Sequence, residues 1–353
     1  MEHMNSTESR DTKIIVVTCV KDEGWILDRF LATCSVFADL IIISDESTGL
    51  DNSLEIYKRY PKAVVHHNDG PPAPYDGRRR FVFDEARKVP CSRRIVVAID
   101  ADEILSANLL TSSEWHEVLT AEPGTLFRMQ WVNLWRTPAQ YKVGGETGLG
   151  LYNRSIWVDD GVSQIPEVGI QGMHMVYTPE NARRMVRLKD IVCLHYQFCN
   201  WPRMEAKHRY YRAHEKVNIR KLSDLGIWRM YGYMNSARVD LGESPQEWFA
   251  GWERLGIDMT GFTPDDFCFY DLDVLRMIDQ YGADTFACQD IWRCDWEAII
   301  ARGKALGALP GDYRLQRPGF SLRRMLLQSY IDKTVDEPFL QKLERHLLKG
   351  MGY

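Results

Sequence analysis

The residues best suited to chemistry are two aspartates one residue apart, Asp100 and Asp102, in the stretch Arg94-Ile95-Val96-Val97-Ala98-Ile99-Asp100-Ala101-Asp102-Glu103-Ile104-Leu105. An apolar, largely β-branched run of this kind reads as a buried strand, and its C-terminal end delivers both carboxylates. In open parallel α/β sheets ligands sit beyond the carboxyl ends of strands, so the pair faces a crevice. Two hard carboxylate ligands suit Mn²⁺ or Mg²⁺ held against substrate phosphates. A third ligand candidate is His195, a lone imidazole in the apolar run Ile191-Val192-Cys193-Leu194-His195-Tyr196; imidazole complements two carboxylates around a borderline metal. The alternative for His195 is a hydrogen-bonded core histidine.

These residues need strands to carry them, and the first 105 residues supply four. Apolar runs at Ile14–Cys19, Leu40–Ser44, Ala63–Val65 and Arg94–Asp100 alternate with helical patterns. The first helical pattern carries Leu27, Phe30, Leu31 and Cys34, with Asp22 as the expected N-cap; the second follows Asp51; the third carries Phe83 and Ala86. This βαβαβαβ order predicts a doubly wound, mostly parallel sheet. Strand ends then bring Cys19 to Glu23, Asp45 to Thr48, and Asp100 to Glu103 to one rim. Neither G-x-G-x-x-G nor a P-loop occurs, which weakens the dinucleotide and P-loop readings.

Four motifs in order carry a resemblance. Asp22-Glu23-Gly24 before an apolar helix, Asp45 with the polar turn to Ser53, Arg79 seven residues before Ala86, and Asp100-Ala101-Asp102 look like a family 2 glycosyltransferase of the GT-A fold. It covers residues 13–105 well and the middle third loosely. The resemblance implies transfer of a sugar from a nucleotide-diphosphate donor to a hydroxyl acceptor, usually with inversion. It implies a donor site of Cys19, Asp22, Glu23, Asp45, Arg79, Arg80, Asp100, Ala101 and Asp102, and a metal held by Asp100, Asp102 and His195. An inverting transferase needs a carboxylate as general base. Asp160 is the first choice, with Asp159 and Glu167 as alternatives. Aromatic residues, Trp131, Trp135, Trp157, Trp201 and Trp228 among them, are expected to shape the acceptor pocket. The acceptor expected is a glycan or lipid-linked glycan. Two other readings remain: a sugar nucleotidyltransferase, and a catalytically silent nucleotide-sugar-binding protein.

The chain has 353 residues, 45% apolar and 26% charged, with 11 Trp, 16 Tyr and 13 Phe, enough for a large core. The net charge of −5 argues against a nucleic-acid partner. Eight scattered cysteines without a C-x₂-C pair fit reduced core thiols, and no apolar run has a membrane span's length, so a soluble, cytoplasmic protein is expected. The expected organisation is a flexible start (1–12), a GT-A nucleotide-sugar-binding and catalytic domain (13–200), and a helical C-terminal region on the acceptor side (201–353). The latter includes a capping signature at Thr263-Pro264-Asp265-Asp266 and an amphipathic tail with Leu322, Met325, Leu326, Arg323 and Arg324. Such a tail can dock on its own domain or lie peripherally on an anionic membrane.

Overall fold

The computed structural model describes residues 11–68, 70, 75–144, 148–166, 178–218, 223–262, 267–337 and 339–344. The chain forms two compact units, one of residues 1–199 with 241–263, the other of 200–240 with 264–353. The segment 241–263, expected to sit with the C-terminal region, therefore belongs to the first unit.

The first unit begins with β1 (Thr12–Val20), α1 (Gly24–Phe37), β2 (Leu40–Asp45), α2 (Ser53–Tyr57), β3 (Ala63–His67), α3 (Tyr75–Lys88) and β4 (Arg93–Ala98). β1 pairs in parallel with both β2 and β4, and β2 with β3, giving the order β3-β2-β1-β4. Side chains alternate between faces along these strands. Val16, Val20, Ile41, Ile43, Ile95 and Val97 pack with Leu27, Phe30 and Leu31 of α1. Ile15, Val17, Ile42, Val96 and Ala98 pack with Val82, Phe83 and Ala86 of α3 on the other face. Helices thus cover both faces, as the continuous apolar runs require.

Beyond β4 the sheet changes character. β5 (Glu103–Leu105), α4 (Ser113–Thr120), β6 (Thr125–Trp135), β7 (Thr137–Lys142), β8 (Arg154–Val158) and β9 (Arg184–His195) follow, and β10 (Leu241–Glu243) and α7 (Ala250–Arg254) come from the returning segment. β8 runs antiparallel to both β4 and β6, β7 antiparallel to β6 and β10, and β5 antiparallel to β9, while β6 and β9 are parallel. The sheet is parallel over its first four strands and mixed thereafter.

The second unit holds α5 (Trp201–Asn218), α6 (Asp224–Tyr231), α8 (Phe269–Tyr281), α9 (Trp296–Ala305) and α10 (Leu322–Thr334). Its core is Ala213, Val274, Leu275, Ile278, Phe286 and Trp296, and Arg209 binds Asp271 through both oxygens at 2.8 and 2.9 Å. The capping signature at residues 263–266 lies outside the described residues. Among the described residues no helix is long and apolar enough to cross a membrane, and no cysteine is in a disulfide.

The start of α1 is tied to the loop after β2. Gly24 N donates to Asp51 Oδ2 at 2.7 Å, and Ser53 N to Asp51 Oδ1 at 2.9 Å. A Cβ on Gly24 would lie 2.2 Å from Asn52 Oδ1 and 2.9 Å from Asp51 Oδ2. Gly24→Ala is therefore expected to cost about 1–3 kcal/mol, the usual penalty of overpacking a fitted site. Denaturant unfolding checks this, and an unchanged midpoint would mean the loop yields freely.

Candidate functional site

Each of the four parallel strands ends on the same rim. Asp45 closes β2, in register with Val20 of β1 and His67 of β3. Asp100 and Asp102 follow β4 through a tight turn, in which Glu103 N donates to Asp100 O at 3.0 Å. The short strand β5 then pairs Glu103 with His195, while β6 pairs Asn133 with His195. Residues far apart in sequence are thus placed side by side by strand pairing.

The centre of the rim is acidic and compensated. Glu103 is fully buried. Its Oε1 accepts from Trp131 Nε1 at 2.6 Å; its Oε2 accepts from Asp100 N at 2.9 Å and from Arg154 Nε. Burial pushes the Glu103 carboxyl upward, and the Arg154 guanidinium opposes that. Burial alone would lower the Arg154 value, but Glu103 and Asp100 outweigh it and raise it. Arg154 Nη2 donates to Asp100 Oδ2 at 2.7 Å, and Arg79 Nη2 lies 3.7 Å from Asp100 Oδ1.

Beside this knot, His195 Nε2 lies 3.4 Å from Asp102 Oδ2 and its Nδ1 is 2.6 Å from Asn133 Oδ1. Trp131 stacks on the imidazole at 4.4 Å between ring centroids. An acceptor on Nδ1 selects the tautomer protonated there and turns the Nε2 lone pair towards Asp102, as a hydrogen bond on the far ring nitrogen does for histidines that bind metals. A lone pair facing a carboxylate calls for a cation or a proton between them. Ligand atoms of Asp102, Glu103 and His195 all lie within 4.8 Å of one another. The donor set, carboxylate oxygen with imidazole nitrogen, fits Mn²⁺ better than Ca²⁺.

Sequence reasoning did not single out Glu103, Arg154 or Asn133. Arg154 and Asn133 reach the site by cross-strand pairing, which leaves no local mark. Glu103 had one signal, an acid continuing into an apolar strand, where only a paired carboxylate is tolerated.

Several expected residues have other occupations. Asp22 has a positive φ of 49°, and its carboxylate accepts from Thr48 N at 2.7 Å and Thr48 Oγ1 at 2.8 Å. It stitches the first loop to the second and does not cap α1, whose N-cap is Glu23. Glu23 Oε2 accepts from Trp25 Nε1 at 2.8 Å. Asp45 is wholly buried, accepting from Ser47 Oγ at 2.6 Å and Tyr57 OH at 2.8 Å on one oxygen, with His67 Nδ1 at 2.5 Å from the other. Cys19 and Arg80 are half-buried and Ala101 is buried.

Asp159 and Asp160 require a correction. β8 runs antiparallel to β4, so residues following it return to the start of β4: Asp159 N donates to Arg94 O at 3.0 Å. β4 has 6 residues; at about 3.3 Å per residue the two acids lie roughly 20 Å from Asp100, at the opposite rim. Asp159 binds Arg87 at 2.9 Å and Arg94 at 3.0 Å, and Asp160 accepts from Val162 N, Ser163 N and Ser163 Oγ at 3.0, 2.9 and 2.8 Å. Neither lies at the rim that carries Asp100 and Asp102. Glu167 lies outside the described residues. Trp157 and Trp228 are also not pocket residues, since each is buried in a core.

Asp159 instead stabilises the fold. Burial would raise its carboxyl, but hydrogen bonds from Arg87, Gly161 N and Arg94, with the charge of Arg87, hold it below the ordinary value. A depressed folded value contributes stability that is present above the unfolded value, about 3.9, and is lost as pH falls through the folded one. Asp159→Asn is expected to lower stability at pH 7 by about 1.5–3 kcal/mol and to flatten the acid limb of the stability profile. Nucleotide binding should be untouched. Parallel loss of nucleotide binding in a folded variant would contradict this assignment.

No protein-family model matches the chain, and no curated protein matches it. Among solved structures it is similar to glucosyl-3-phosphoglycerate synthase from Mycobacterium tuberculosis in complex with phosphoglyceric acid. That match has 18% identity, covers 53% of this chain and 72% of that one, and has a TM-score of 0.32. The same enzyme with Mn²⁺, uridine diphosphate and glucosyl-3-phosphoglycerate matches at 21% identity, over 35% of this chain and 44% of that one, TM-score 0.25. It is also similar to 4-diphosphocytidyl-2C-methyl-D-erythritol synthase, at 11% identity over 42% of this chain and 75% of that one, TM-score 0.26. For the first structures found, the match spans only 42% and 44% of their own length. Likenesses this slight carry no argument about activity. The order β3-β2-β1-β4 with helices on both faces, continued by antiparallel β8, is this chain's own evidence for a GT-A-like mixed α/β fold.

Proposed function

We propose that the chain is a metal-dependent glycosyltransferase that moves a sugar from a nucleotide-diphosphate donor to a hydroxyl acceptor. One observation carries the reading. Asp102 and His195 face each other at 3.4 Å beside the ends of parallel strands, with His195 held by Asn133. Asp102 and His195 would hold Mn²⁺ or Mg²⁺, whose charge offsets that of the departing diphosphate. Arg79, already 3.7 Å from Asp100, offers guanidinium donors to the same phosphates. Arg154 and Glu103 fix the turn that presents Asp100 and Asp102. Inversion requires a carboxylate at the acceptor hydroxyl, and with Asp159 and Asp160 at the far rim Glu167 is our candidate for it.

The test is nucleoside diphosphate release from UDP-, GDP- and dTDP-sugars with Mn²⁺ and a panel of glycan and lipid-linked acceptors. The reading expects acceptor-dependent release from one donor class, abolished by chelation. Tight diphosphate binding without turnover would favour a silent binding protein instead.

The acceptor side of the reading includes a membrane contact. Phe320 is 83% exposed, and Leu322, Met325 and Leu326 line one exposed face of α10, flanked by Arg323, which is largely exposed and lies 3.3 Å from Asp224 Oδ2. Apolar side chains with adjacent cations suit an anionic bilayer, where a lipid-linked acceptor resides. Co-sedimentation with phosphatidylglycerol vesicles is expected, falling several-fold in Leu326→Glu and absent with neutral phosphatidylcholine. Equal recovery with both lipids, or no effect of Leu326→Glu, would remove this contact.

A further inference from the structure

Two arginines stand side by side where β6 meets β9. Arg128 and Arg187 are register partners on these parallel strands, and Ser155 of β8 flanks Arg128 on its other side. Like charges at neighbouring positions of adjacent strands repel. Elsewhere in the first unit such cations meet carboxylates: Arg154 pairs with Glu103 and Asp100, and Arg87 and Arg94 pair with Asp159. Arg128 and Arg187 enter no ion pair among the described residues.

Tyr152, two residues before β8, holds both guanidinium groups. Arg128 Nη1 donates to Tyr152 O at 3.4 Å, and the Arg187 guanidinium carbon lies 4.9 Å from the centre of the Tyr152 ring. These contacts leave most of the donors unused. Arg128 Nε is buried with no hydrogen-bond partner, and Arg187 is exposed. A buried N–H without an acceptor costs stability, and a second cation beside it adds to that cost. A doubly charged oxyanion would relieve both.

The pair also stands close to the proposed metal site. Leu126 packs with Trp157, Val96 and Ala98 beneath α3, and Arg128, two residues further on, shares that face. It is level with Ser155, which is level with Ala98. β6 and β4 are both antiparallel to β8, so they run in the same direction towards the rim. Arg128 is therefore two strands across from β4 and two residues short of Asp100, roughly 12 Å away at the usual spacings.

We propose that Arg128 and Arg187 bind a phosphate monoester, and, resting on the glycosyltransferase reading, that this is the phosphate of the sugar acceptor. Near neutral pH such a group carries close to two negative charges and three acceptor oxygens. Two guanidinium groups meet it with matched charge and two-pronged donation. A neutral glycan offers nothing to this pair, so the acceptor class narrows to phosphorylated sugars and polyols. The separation leaves the sugar of such an acceptor between the arginines and the metal carboxylates.

The experiment is calorimetric titration of the full chain at pH 8 with inorganic phosphate, glucose 6-phosphate and glucose, and separately with UDP plus Mn²⁺. Both phosphates are expected to bind, glucose is not, and the affinity should fall as salt is raised. Arg187→Gln should weaken phosphate binding about ten-fold or more and leave UDP with Mn²⁺ unchanged. Its melting temperature without phosphate should be no lower than the parent's, because one of two repelling charges is gone, which a merely structural arginine would not show. Phosphate should raise the melting temperature of the parent chain and not of the variant. Phosphate affinity unchanged in Arg187→Gln, or no phosphate binding by the parent chain, would overturn the proposal. An equal loss of UDP affinity in Arg187→Gln would also overturn it, by giving the pair to the donor. Phosphate binding that depends on Arg187, in a chain that binds no nucleotide with Mn²⁺, would overturn the glycosyltransferase reading and leave the phosphate site standing.

Discussion

Asp102→Ala is expected to lower Mn²⁺-dependent nucleoside diphosphate affinity at least a hundred-fold while leaving the melting temperature within a few degrees. Among the described residues Asp102 Oδ2 lies 3.4 Å from His195 Nε2, while Glu103 accepts from Trp131, Asp100 N and Arg154, and Asp100 accepts from Arg154. Removing one ligand from a small donor set forfeits the direct bond as well as the charge match. Losses of 10- to 100-fold are ordinary even for residues that merely orient ligands. The fold should survive because the Asp102 backbone carbonyl, which accepts from Tyr196 N at 2.8 Å, is retained in alanine. Calorimetry with diphosphate, with and without Mn²⁺, checks both halves. Equal affinity in the variant would place the metal elsewhere.

The second large effect is on stability. Arg154→Leu removes the cation that compensates Glu103 and Asp100 together. A buried carboxylate stripped of its partner typically costs 3–5 kcal/mol, and Glu103 has no exposed surface through which water could relieve it. The Arg154→Leu variant should therefore lose about 3–5 kcal/mol in denaturant unfolding. Adding Glu103→Met should recover part of that loss, because removing both members of a buried pair is far cheaper than removing one. A loss in Arg154→Leu below 1 kcal/mol would show that the turn does not depend on this ion pair.

How much could be read from the sequence depended on whether the relevant contacts were local. β1, β2 and β4 are continuous apolar runs because helices cover both faces, and that property is visible without alignment. The D-x-D followed from the end of such a run. His195 was visible only as a polar interruption in an apolar strand, and its partner Asn133 became evident once β6 and β9 were paired. The misplacement of Asp159 and Asp160 has one cause. Direction is not encoded in a strand's own residues, and β8 returns antiparallel to β4, carrying its trailing acids to the wrong rim. The same alternation on β8 turns Trp157 into the core beneath α3. Leu241–Thr263 carries no mark of its return to the first unit beyond Trp252, whose Nε1 donates to Leu105 O at 2.9 Å. Asp45 was legible as a rim carboxylate, yet its commitment to Ser47, Tyr57 and His67 depends on three elements meeting.

The central claim is that Asp102 and His195 bind a divalent metal, and pulsed electron paramagnetic resonance of bound Mn²⁺ tests it most directly. With a nucleoside diphosphate present, one tightly held Mn²⁺ per chain is expected, showing a ¹⁴N modulation from the His195 imidazole. That modulation should vanish in His195→Leu. A Mn²⁺ signal identical to the fully hydrated ion, or a ¹⁴N coupling that persists in His195→Leu, would contradict it.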